Sequence, residues 1–545
     1  MSKELQIYDT TLRDGAQMEG ISLSVDDKIK ITKLLDELGI DFVEGGWPGA
    51  NPKDGEFFKK VKDLNLKNTK IVAFGSTRRA NSKAESDSIL NALIQANTEY
   101  ITIVGKTWDM HVEIALNVTK EENLKMIEES IEYLKLKKKK VFFDAEHYFD
   151  SYKSNPEYAL KVIKCAHEAG ADGIILCDTN GGAMPDEIKK GTSKAKEALG
   201  EKALVGIHVH NDCDLAVANS LTAYEAGARQ IQGTINGVGE RCGNANLISI
   251  IANLGLKYKQ KVLPESNITK LTIVSRQIAD ILNLNPNEHQ PYVGSNAFTH
   301  KGGLHASAVK KDSTTYEHIH PEEVGNINRI VVSEQAGVSN IISLAETFGL
   351  DLGNSPKETS AQLLKKIKEL EHKGYQFEGA SGSFVLLLLD LLNQRPKFFE
   401  LVDYRVISSS KQLAEATVRI KVSAKGGSAS GGKGEVIHTA SLGVGPGNAL
   451  DNALRKALNH YYPALKEFQL VDFKVRIIDS HDGSAAKTRV HVETSDGNIT
   501  WDTVGLSTNI IDATWQAITD SIEYGLWVKA KAEHNIHQIS SPRSL

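Results

Sequence analysis

The stretch DDKIKITKLLDELGIDFVEGG (Asp26 to Gly46) contains both of the signals that decide the fold. Its first part, Asp26 to Leu38, predicts an amphipathic helix, because its apolar residues recur at helical spacing and leave lysine and aspartate on the opposite face. Its second part, DFVEGG (Asp41 to Gly46), is a short apolar run that predicts a buried β-strand. The stretch therefore predicts one helix and one strand of an α/β fold.

The first half of the chain contains seven more apolar runs like DFVEGG. Amphipathic stretches separate these runs from one another. The runs are LQIYD (Leu5 to Asp9), KIVAFG (Lys70 to Gly75), YITIVG (Tyr100 to Gly105), VFFDAE (Val141 to Glu146), GIILCDT (Gly173 to Thr179), LVGIHVH (Leu204 to His210) and QIQGTING (Gln230 to Gly237). Eight strand–helix alternations over about 250 residues match the size of a closed TIM (β/α)8 barrel. An open doubly wound sheet is the alternative that this pattern leaves.

The rest of the chain predicts two further regions. The first has mostly helical patterns and polar loops, and LLLLDLLNQ (Leu386 to Gln394) predicts a buried core helix. The second has long alternating strands and two similar segments, SLGVGPGNALDNALRKAL (Ser441 to Leu458) and DTVGLSTNIIDATWQAIT (Asp502 to Thr519). Each segment predicts a strand, a turn with glycine and a helix, so the tail is expected to be an α/β domain of two repeated units. The predicted domains are a catalytic barrel, a mostly helical linker region that contributes to the active site, and a regulatory domain, at residues 1–264, 265–395 and 396–535.

Composition narrows the class of protein. Apolar residues make up 41% and charged residues 24% of the 545, and the formal net charge of −5 argues against nucleic acid as a partner. The four cysteines are dispersed without CxxC spacing, which favours a reducing compartment. The N-terminal stretch lacks the apolar core of a signal peptide, and the longest apolar run, Val385 to Leu389, is too short to span a bilayer. We therefore expect a cytoplasmic protein that binds neither nucleic acid nor membrane.

Polar side chains follow the carboxyl ends of the predicted strands, which meet at one mouth in a parallel barrel. They are Arg13, Asp14, Glu44, Lys106, Glu146, Asp178, Thr179, His208, His210, Glu240, Arg241 and Asn244. The opposite ends of the strands carry no comparable set. The sequence therefore predicts an active site at this mouth.

A divalent cation is the simplest explanation for the two histidines of this set. His208 and His210 are two residues apart on one strand, so both side chains point to the same face. Asp14 and the amide oxygen of Asn244 are donors that could complete a site, and such a mixture of nitrogen and oxygen suits Zn²⁺, Mn²⁺ or Fe²⁺, while a sphere rich in oxygen and water would admit Mg²⁺. Such a cation could bind a 2-keto acid and act as a Lewis acid on its ketone, with Arg13 beside the developing alkoxide. The alternative is a pair of hydrogen-bonded core histidines.

Three motifs resemble the 2-isopropylmalate, homocitrate and citramalate synthase family. They are YDTTLRDGAQ (Tyr8 to Gln17), HVHNDCDLAVANS (His208 to Ser220) and NGVGERCGNANL (Asn236 to Leu247). The resemblance extends over nearly the whole chain and implies a homodimer whose C-terminal domain is allosteric. It also implies a Claisen-type condensation of acetyl-CoA with a 2-keto acid, followed by hydrolysis of the thioester.

The resemblance implies roles for individual residues as well. Those that would bind or flank the metal ion, Mg²⁺, Mn²⁺ or Zn²⁺, are Asp14, His208, His210 and Asn244. Those that would bind the keto acid or act in catalysis are Arg13, Gln17, Glu146 and Thr179. KGGLHASAVKKDSTTYEHIHP (Lys301 to Pro321) resembles a family segment that supplies a catalytic histidine and tyrosine. The matching residues, His305 and Tyr316, are candidates for the base that removes a proton from the acetyl-CoA methyl group.

Four stretches resemble the branch of this family that uses pyruvate and makes citramalate for isoleucine biosynthesis. They are EGGWPGANPKD (Glu44 to Asp54), FGSTRR (Phe74 to Arg79), GKTWDMHV (Gly105 to Val112) and DAEHYFDSYKSNPEYA (Asp144 to Ala159). The branch implies isoleucine as the effector, with leucine as the alternative, and we expect Trp47, Phe142 or Tyr148 to shorten the pocket. A 2-isopropylmalate or homocitrate synthase is the first alternative, because an apolar pocket discriminates by only about 1–3 kcal/mol per methylene. A lyase with the same barrel and a non-catalytic amino-acid sensor are the others.

Overall fold

The computed structural model describes residues 5–264, 266–300, 308–309, 311–327, 329–330, 342, 345, 350–353, 355–377, 380–422, 435–478, 486–497 and 499–540, the last helix with side chains to residue 531. The chain divides into two compact units. The barrel unit comprises Met1–Phe298 and Glu317–Asn328, and the second unit comprises Thr299–Tyr316 and Arg329–Leu545.

The barrel unit contains eight parallel strands that close on themselves. They are β1 (Gln6–Asp9), β2 (Phe42–Gly46), β3 (Lys70–Ser76), β4 (Tyr100–Lys106), β5 (Lys140–Glu146), β6 (Gly173–Asp178), β7 (Val205–Val209) and β8 (Gln230–Gly233). Strand β1 pairs with β2 on one side and with β8 on the other, where Gln6 lies opposite Gln230. The closed barrel confirms the predicted fold and excludes the open sheet.

Helices surround the strands. They are α1 (Val25–Leu38), α2 (Pro52–Lys60), α3 (Ser88–Gln95), α4 (Asp109–Ile114), α5 (Lys120–Leu136), α6 (Tyr148–Ser154), α7 (Pro156–Glu168), α8 (Pro185–Leu199), α9 (Ala216–Glu225), α10 (Leu247–Ala252) and α11 (Leu271–Ile281). Helix α1 begins with a capping box in which Ser24 and Asp27 satisfy each other's backbone N–H groups, and it ends at Gly39, whose φ of 95° suits glycine.

Two apolar layers hold the barrel together. The outer layer lies between strands and helices and includes Ile31 and Leu35 of α1. The inner layer fills the barrel below the mouth, and its members are Tyr8, Phe42, Val72, Tyr100, Phe142, Ile175 and Cys177. Because the inner layer is packed with aromatic rings, it forms a solid floor beneath the polar residues of the mouth.

The loop after β8 differs from the sequence prediction. The predicted strand extends to Gly237, but β8 ends at Gly233, and Ile235–Gly237 form a tight turn in which Asn236 has a φ of 62°. The chain then folds back, so that Asn244 pairs with His210. This reversal of the chain requires glycine at position 243, because a Cβ there would lie 2.0 Å from the Gly237 carbonyl oxygen.

The second unit contains two similar α/β halves. Strands β11 (Phe399–Ile407), β12 (Ala414–Val422) and β13 (Glu435–Gly443) form one antiparallel sheet, and β14 (Gln469–Ile477), β15 (Thr488–Ser495) and β16 (Thr500–Ser507) form another. Helix α14 (Pro446–Leu458) follows the first sheet, and α15 (Ile510–Ser540) follows the second. This order confirms the predicted two-unit repeat.

The described residues of the second unit also include a pair of short strands and two longer helices. Strands β9 (Thr299–His300) and β10 (Arg329–Ile330) pair with each other, and α12 (Pro356–Lys373) and α13 (Ser381–Leu391) precede the sheets. Helix α13 is buried, as the run of leucines predicts, with Leu386, Leu388 and Leu389 in the core. Among the helices of the described residues, none combines the length and the apolar character that crossing a membrane requires.

Candidate active site

One carboxylate oxygen, Asp14 Oδ2, lies at the centre of the mouth. His208 Nε2 lies 3.1 Å from it and His210 Nε2 lies 3.7 Å from it. The ligand atoms of these three buried residues all lie within 4.8 Å of one another, so the group could hold a metal ion. The two histidines come from β7 and its end, and Asp14 follows β1, which is why the barrel brings them together.

Gln232 fixes the orientation of the first imidazole. Its Oε1 lies 3.0 Å from His208 Nδ1, so Nδ1 carries a proton and Nε2 can present a lone pair to the mouth. Burial lowers the pKa of His208, but the hydrogen bond and charge of Asp14 outweigh burial, and its pKa lies above the usual range. Burial and the charge of His208 lower the pKa of His210 to about 4. The cluster therefore attracts one positive charge, which a proton or a cation can supply.

The polar atoms around Asp14 fit a divalent cation. Asn244 Nδ2 lies 3.1 Å from Asp14 Oδ2 and 3.2 Å from His208 Nε2. Its buried Oδ1 has no hydrogen-bond partner among the described residues. A half-turn of this amide would exchange the two atoms and bring the oxygen to face Asp14 and His208. Two imidazole nitrogens, a carboxylate and an amide oxygen are a donor set that Zn²⁺, Mn²⁺ or Mg²⁺ can accept.

Arg13 places a fixed positive charge beside this group. Its Nη1 lies 3.2 Å from Asp14 Oδ2, its Nε donates to Glu44 Oε2 at 2.5 Å, and its guanidinium lies 4.0 Å from the centre of the Phe74 ring. Burial lowers the pKa of Arg13, but Asp14 and Glu44 raise it well above its usual range. The same two charges keep the guanidinium in place. Arg13 also holds the pKa of Asp14 well below its usual range against the opposing effect of burial.

A buried polar network lies below Arg13. The sequence predicts Glu44 at the mouth but not the other members of this network. Tyr8 Oη donates to Glu44 Oε1 at 2.7 Å and lies 2.8 Å from Thr102 Oγ1. Asp144 points into the same region, and its buried Oδ1 has no hydrogen-bond partner among the described residues. Burial and the charge of Glu44 raise the pKa of Asp144 to about 7. Alternation along β5 could have found Asp144, because it lies between the interior residues Phe142 and Glu146.

Three other predicted residues also lie at the mouth. Glu146 forms an ion pair with Lys106. The Thr179 hydroxyl accepts a hydrogen bond from the His147 backbone N–H at 2.8 Å. Gln17 ends the short 3₁₀ helix Gly15–Gln17 after Asp14, and its side chain is exposed. Their roles stay predictions.

Neither candidate for the base belongs to the barrel unit. His305 lies outside the described residues. Tyr316 belongs to the second unit, where it is 50% exposed and its ring lies 6.4 Å from that of His300. Both remain predictions.

Three residues are expected to shorten the pocket, and for Tyr148 this prediction is wrong. It lies in α6 and is buried in the outer layer, where its hydroxyl donates to the Gly191 carbonyl of α8 at 3.1 Å. The residue starts a helix directly after the αL residue His147, so alternation along β5 does not extend to it. Phe142 lies in the inner layer, and Trp47 packs edge-on against Phe74 with ring centres 5.6 Å apart.

Known proteins match the chain over nearly its whole length. The HMGL-like family matches residues 4–278, the homocitrate synthase post-HMGL domain-like family matches 292–375, and the LeuA allosteric (dimerisation) domain matches 378–526. The (R)-citramalate synthase of Aquifex aeolicus strain VF5 is 52% identical over 531 residues, 96% of this chain and 98% of that protein. That of Geobacter sulfurreducens is 51% identical over 96% of this chain and 97% of that protein. The 2-isopropylmalate synthase of Sulfolobus acidocaldarius is 36% identical over 71% of this chain and 96% of that protein.

Proposed function

We propose a reaction for this chain on the premise that it belongs to the (R)-citramalate synthase family, as its similarity over nearly the full length shows. The proposed reaction joins the acetyl group of acetyl-CoA to pyruvate and hydrolyses the thioester, giving (R)-citramalate and CoA in isoleucine biosynthesis. The observation that carries this proposal is the convergence of His208, His210 and Arg13 on Asp14 at the mouth of the barrel.

The ligand set proposed for the cation is Asp14, His208 and His210, with Asn244 as the fourth or flanking group. A bound Mg²⁺, Mn²⁺ or Zn²⁺ would polarise the ketone of the keto acid. Arg13 adds a positive charge where the ketone oxygen becomes an alkoxide. Thr179 donates its hydroxyl proton to the substrate carboxylate, and Gln17 lies at the rim, where it can contact the same substrate.

The proton steps follow from the condensation. A base removes a proton from the acetyl methyl group, and the resulting carbanion forms a bond to the ketone carbon of pyruvate. The alkoxide takes up a proton, and water then attacks the thioester so that CoA leaves as a thiol. His305 and Tyr316 are the candidates for the base, and Glu146, paired with Lys106, is the acidic group that positions the substrate.

A panel of 2-keto acids tests the proposed substrate. CoA release is measured with acetyl-CoA and pyruvate, 2-ketoisovalerate or 2-ketoglutarate, and pyruvate should give the highest kcat/KM. Arg13→Gln should lower kcat/KM with pyruvate at least about a hundredfold, as expected for loss of a group that stabilises developing charge. A higher kcat/KM with 2-ketoisovalerate would overturn the choice of pyruvate.

That outcome would support a second candidate, a 2-isopropylmalate synthase. The similarity to the Sulfolobus acidocaldarius enzyme of that name supports it, although the identity is lower and the match covers less of the chain. The chemistry at the cation site would be the same, and only the end of the pocket that receives the keto-acid side chain would differ.

The second unit is proposed to form a homodimer and to bind isoleucine as an effector. Support comes from the LeuA allosteric (dimerisation) domain match and from an exposed apolar face on β14. On that face Val471, Phe473, Val475 and Ile477 are 59%, 39%, 44% and 60% exposed. Exposed apolar surface of this extent marks contact sites. The organisation into domains at 1–264, 265–395 and 396–535 is part of this proposal, and a cytoplasmic location stays a prediction.

Introducing a charge on the β14 face tests the dimer. Val475→Lys should shift the protein toward monomer in sedimentation velocity, because a charge in an apolar interface must be desolvated. Leu136→Lys is the matched control, since Leu136 is an isolated exposed apolar residue at the end of α5, 80% exposed. A monomeric wild-type protein, or a dimer that both variants keep, would contradict this assignment.

A further inference from the structure

His147 has a backbone conformation that needs an explanation. It directly follows β5 and is the N-cap residue that precedes α6, with a φ of 56° and a ψ of 35°. Only a few per cent of residues with a side chain adopt this left-handed conformation, although histidine adopts it more often than most. The backbone N–H of the same residue donates to the Thr179 hydroxyl at 2.8 Å.

This hydrogen bond restricts the directions in which the Thr179 proton can point. A threonine hydroxyl has one proton to donate and two positions that accept. Because the His147 N–H occupies one accepting position, the proton of Thr179 cannot point toward that N–H. No residue of the described part of the barrel accepts it, so the proton is available to an anionic oxygen of a ligand.

A cluster of four side chains at the rim of the mouth supports His147. This rim cluster consists of Trp108, His111, His147 and Asp150. His147 Nδ1 lies 2.7 Å from Asp150 Oδ2, and its ring centre lies 4.4 Å from that of His111 and 5.4 Å from that of Trp108. Asn180, the neighbour of Thr179, donates to the other Asp150 oxygen at 3.1 Å, which links the cluster back to the same loop.

The other side of Thr179 is held by the loop after β8. Arg241 Nη2 donates to the Thr179 carbonyl oxygen at 2.8 Å. The same guanidinium makes two bonds to Asp212, of 2.8 and 3.0 Å. Thr179 is therefore fixed through its carbonyl and its hydroxyl by two different loops.

The rim cluster is not a second cation site. Among the described residues, Asp14, His208 and His210 are the one group of three or more such side chains whose ligand atoms converge. The contacts of His147 instead fix a backbone conformation and, through it, one hydroxyl group.

We propose that His147 is a positioning residue, which holds the Thr179 hydroxyl so that its proton faces the carboxylate of the 2-keto acid. This inference rests on the proposed function, in which Thr179 contacts that carboxylate. The imidazole does not touch the substrate; the rim cluster keeps its backbone in the left-handed conformation, and the backbone N–H orients the hydroxyl.

A double-mutant cycle tests the proposal. Thr179→Val should raise KM for pyruvate about tenfold or more, because a hydrogen bond to a charged group is lost. His147→Ala should raise it about threefold to tenfold, with KM for acetyl-CoA unchanged. In the Thr179→Val background, His147→Ala should have no further effect on KM for pyruvate, since residues that act through one group are not additive.

Two further variants separate positioning from general damage. Asp150→Asn leaves the backbone intact and should shift KM for pyruvate in the same direction, again only when Thr179 is present. Lys138→Ala is the matched control, because Lys138 is exposed and left-handed, with a φ of 59°, just before β5 begins. It carries the same backbone strain at the opposite end of the strand and should leave both KM values unchanged.

The outcomes distinguish this inference from the proposed function. Additive effects of His147→Ala and Thr179→Val, or equal changes in KM for both substrates, would overturn the role of His147 alone. If the wild-type protein releases no CoA with any 2-keto acid, the proposed function fails, and the role of His147, which rests on it, fails with it.

Discussion

At the scale of single residues, Asp14 is the group that organises the mouth. Its Oδ2 is shared by a guanidinium, two imidazoles and an amide. Asp14 is only 2% exposed, so water cannot compensate for the loss of any of these partners. Arg13 and the two histidines hold the pKa of Asp14 well below its usual range against the effect of burial, so the carboxylate is charged at neutral pH. The site is therefore prepared for a cation before substrate arrives.

Tyr8 supports this arrangement from below, and its hydroxyl can be removed without changing the shape of the ring. Tyr8→Phe leaves the fully buried Glu44 Oε1 without its 2.7 Å donor. We expect the free energy of unfolding to fall by about 1–3 kcal/mol, the cost of a buried unsatisfied acceptor. Urea unfolding measures this, and Tyr133→Phe, which removes a half-buried hydroxyl bonded to Asn91 on the helical surface, should cost less than half as much. Equal losses in the two variants would contradict the importance of the network.

Asp9 should make stability depend on pH. Burial raises its pKa to about 7, although its two bonds to Thr11 act in the opposite direction. The folded protein thus binds this proton more tightly than the unfolded chain, where the pKa is about 4. The contribution is complete below about pH 4 and is lost as the pH rises through about 7.

The corresponding measurement compares wild type with Asp9→Asn, which cannot ionise. Between about pH 5 and about pH 8, the free energy of unfolding of wild type should fall by about 1–4 kcal/mol more than that of the variant. Parallel pH profiles for the two proteins would show that Asp9 is ionised in the folded state.

At the scale of elements, the strands and the alternation of their side chains were predictable from the sequence, and the loops were not. The i, i+2 spacing of His208 and His210 predicts a shared face because a strand has a period of two. The same reasoning fails at Tyr148, because the chain turns into a helix at His147. It fails again after Gly233, where a tight turn replaces the expected end of β8. Contacts such as the bond from His147 to Thr179 join residues 32 apart and leave no local pattern.

The loop after β8 gives a prediction at this scale. A Cβ on Gly239 would lie 1.9 Å from Asn244 Oδ1, so Gly239→Ala must displace that amide. We expect the affinity for Mn²⁺ in titration calorimetry to fall at least about tenfold, which is typical when a group that orients ligands is lost. Gly55→Ala in α2, where the nearest atom is 3.8 Å away, is the control and should bind Mn²⁺ as wild type does. If Gly239→Ala bound Mn²⁺ with unchanged affinity, Asn244 would have no part in binding the ion.

At the scale of the whole molecule, the sequence predicts the architecture better than it predicts contacts between side chains that come from different strands. Eight strand–helix alternations and a repeated strand–turn–helix segment were enough to predict a closed barrel and a two-unit tail. Each depends on a local period that repeats along the chain. The choice between pyruvate and a larger keto acid depends instead on the shape of one pocket, where side chains from several strands meet. The buried network of Tyr8, Glu44 and Asp144 is likewise not predictable from a local period, because its members lie on three separate strands.

We propose that condensation at the mouth depends on a divalent cation held by Asp14, His208 and His210. The direct test measures CoA release from acetyl-CoA and pyruvate before chelation, after removal of metal with EDTA and dialysis, and after addition of Mg²⁺, Mn²⁺ or Zn²⁺. We predict that chelated wild type is inactive and recovers with a divalent ion, whereas His208→Ala does not recover although its circular dichroism is unchanged. Undiminished CoA release by protein that elemental analysis shows to be free of divalent metal would contradict the account.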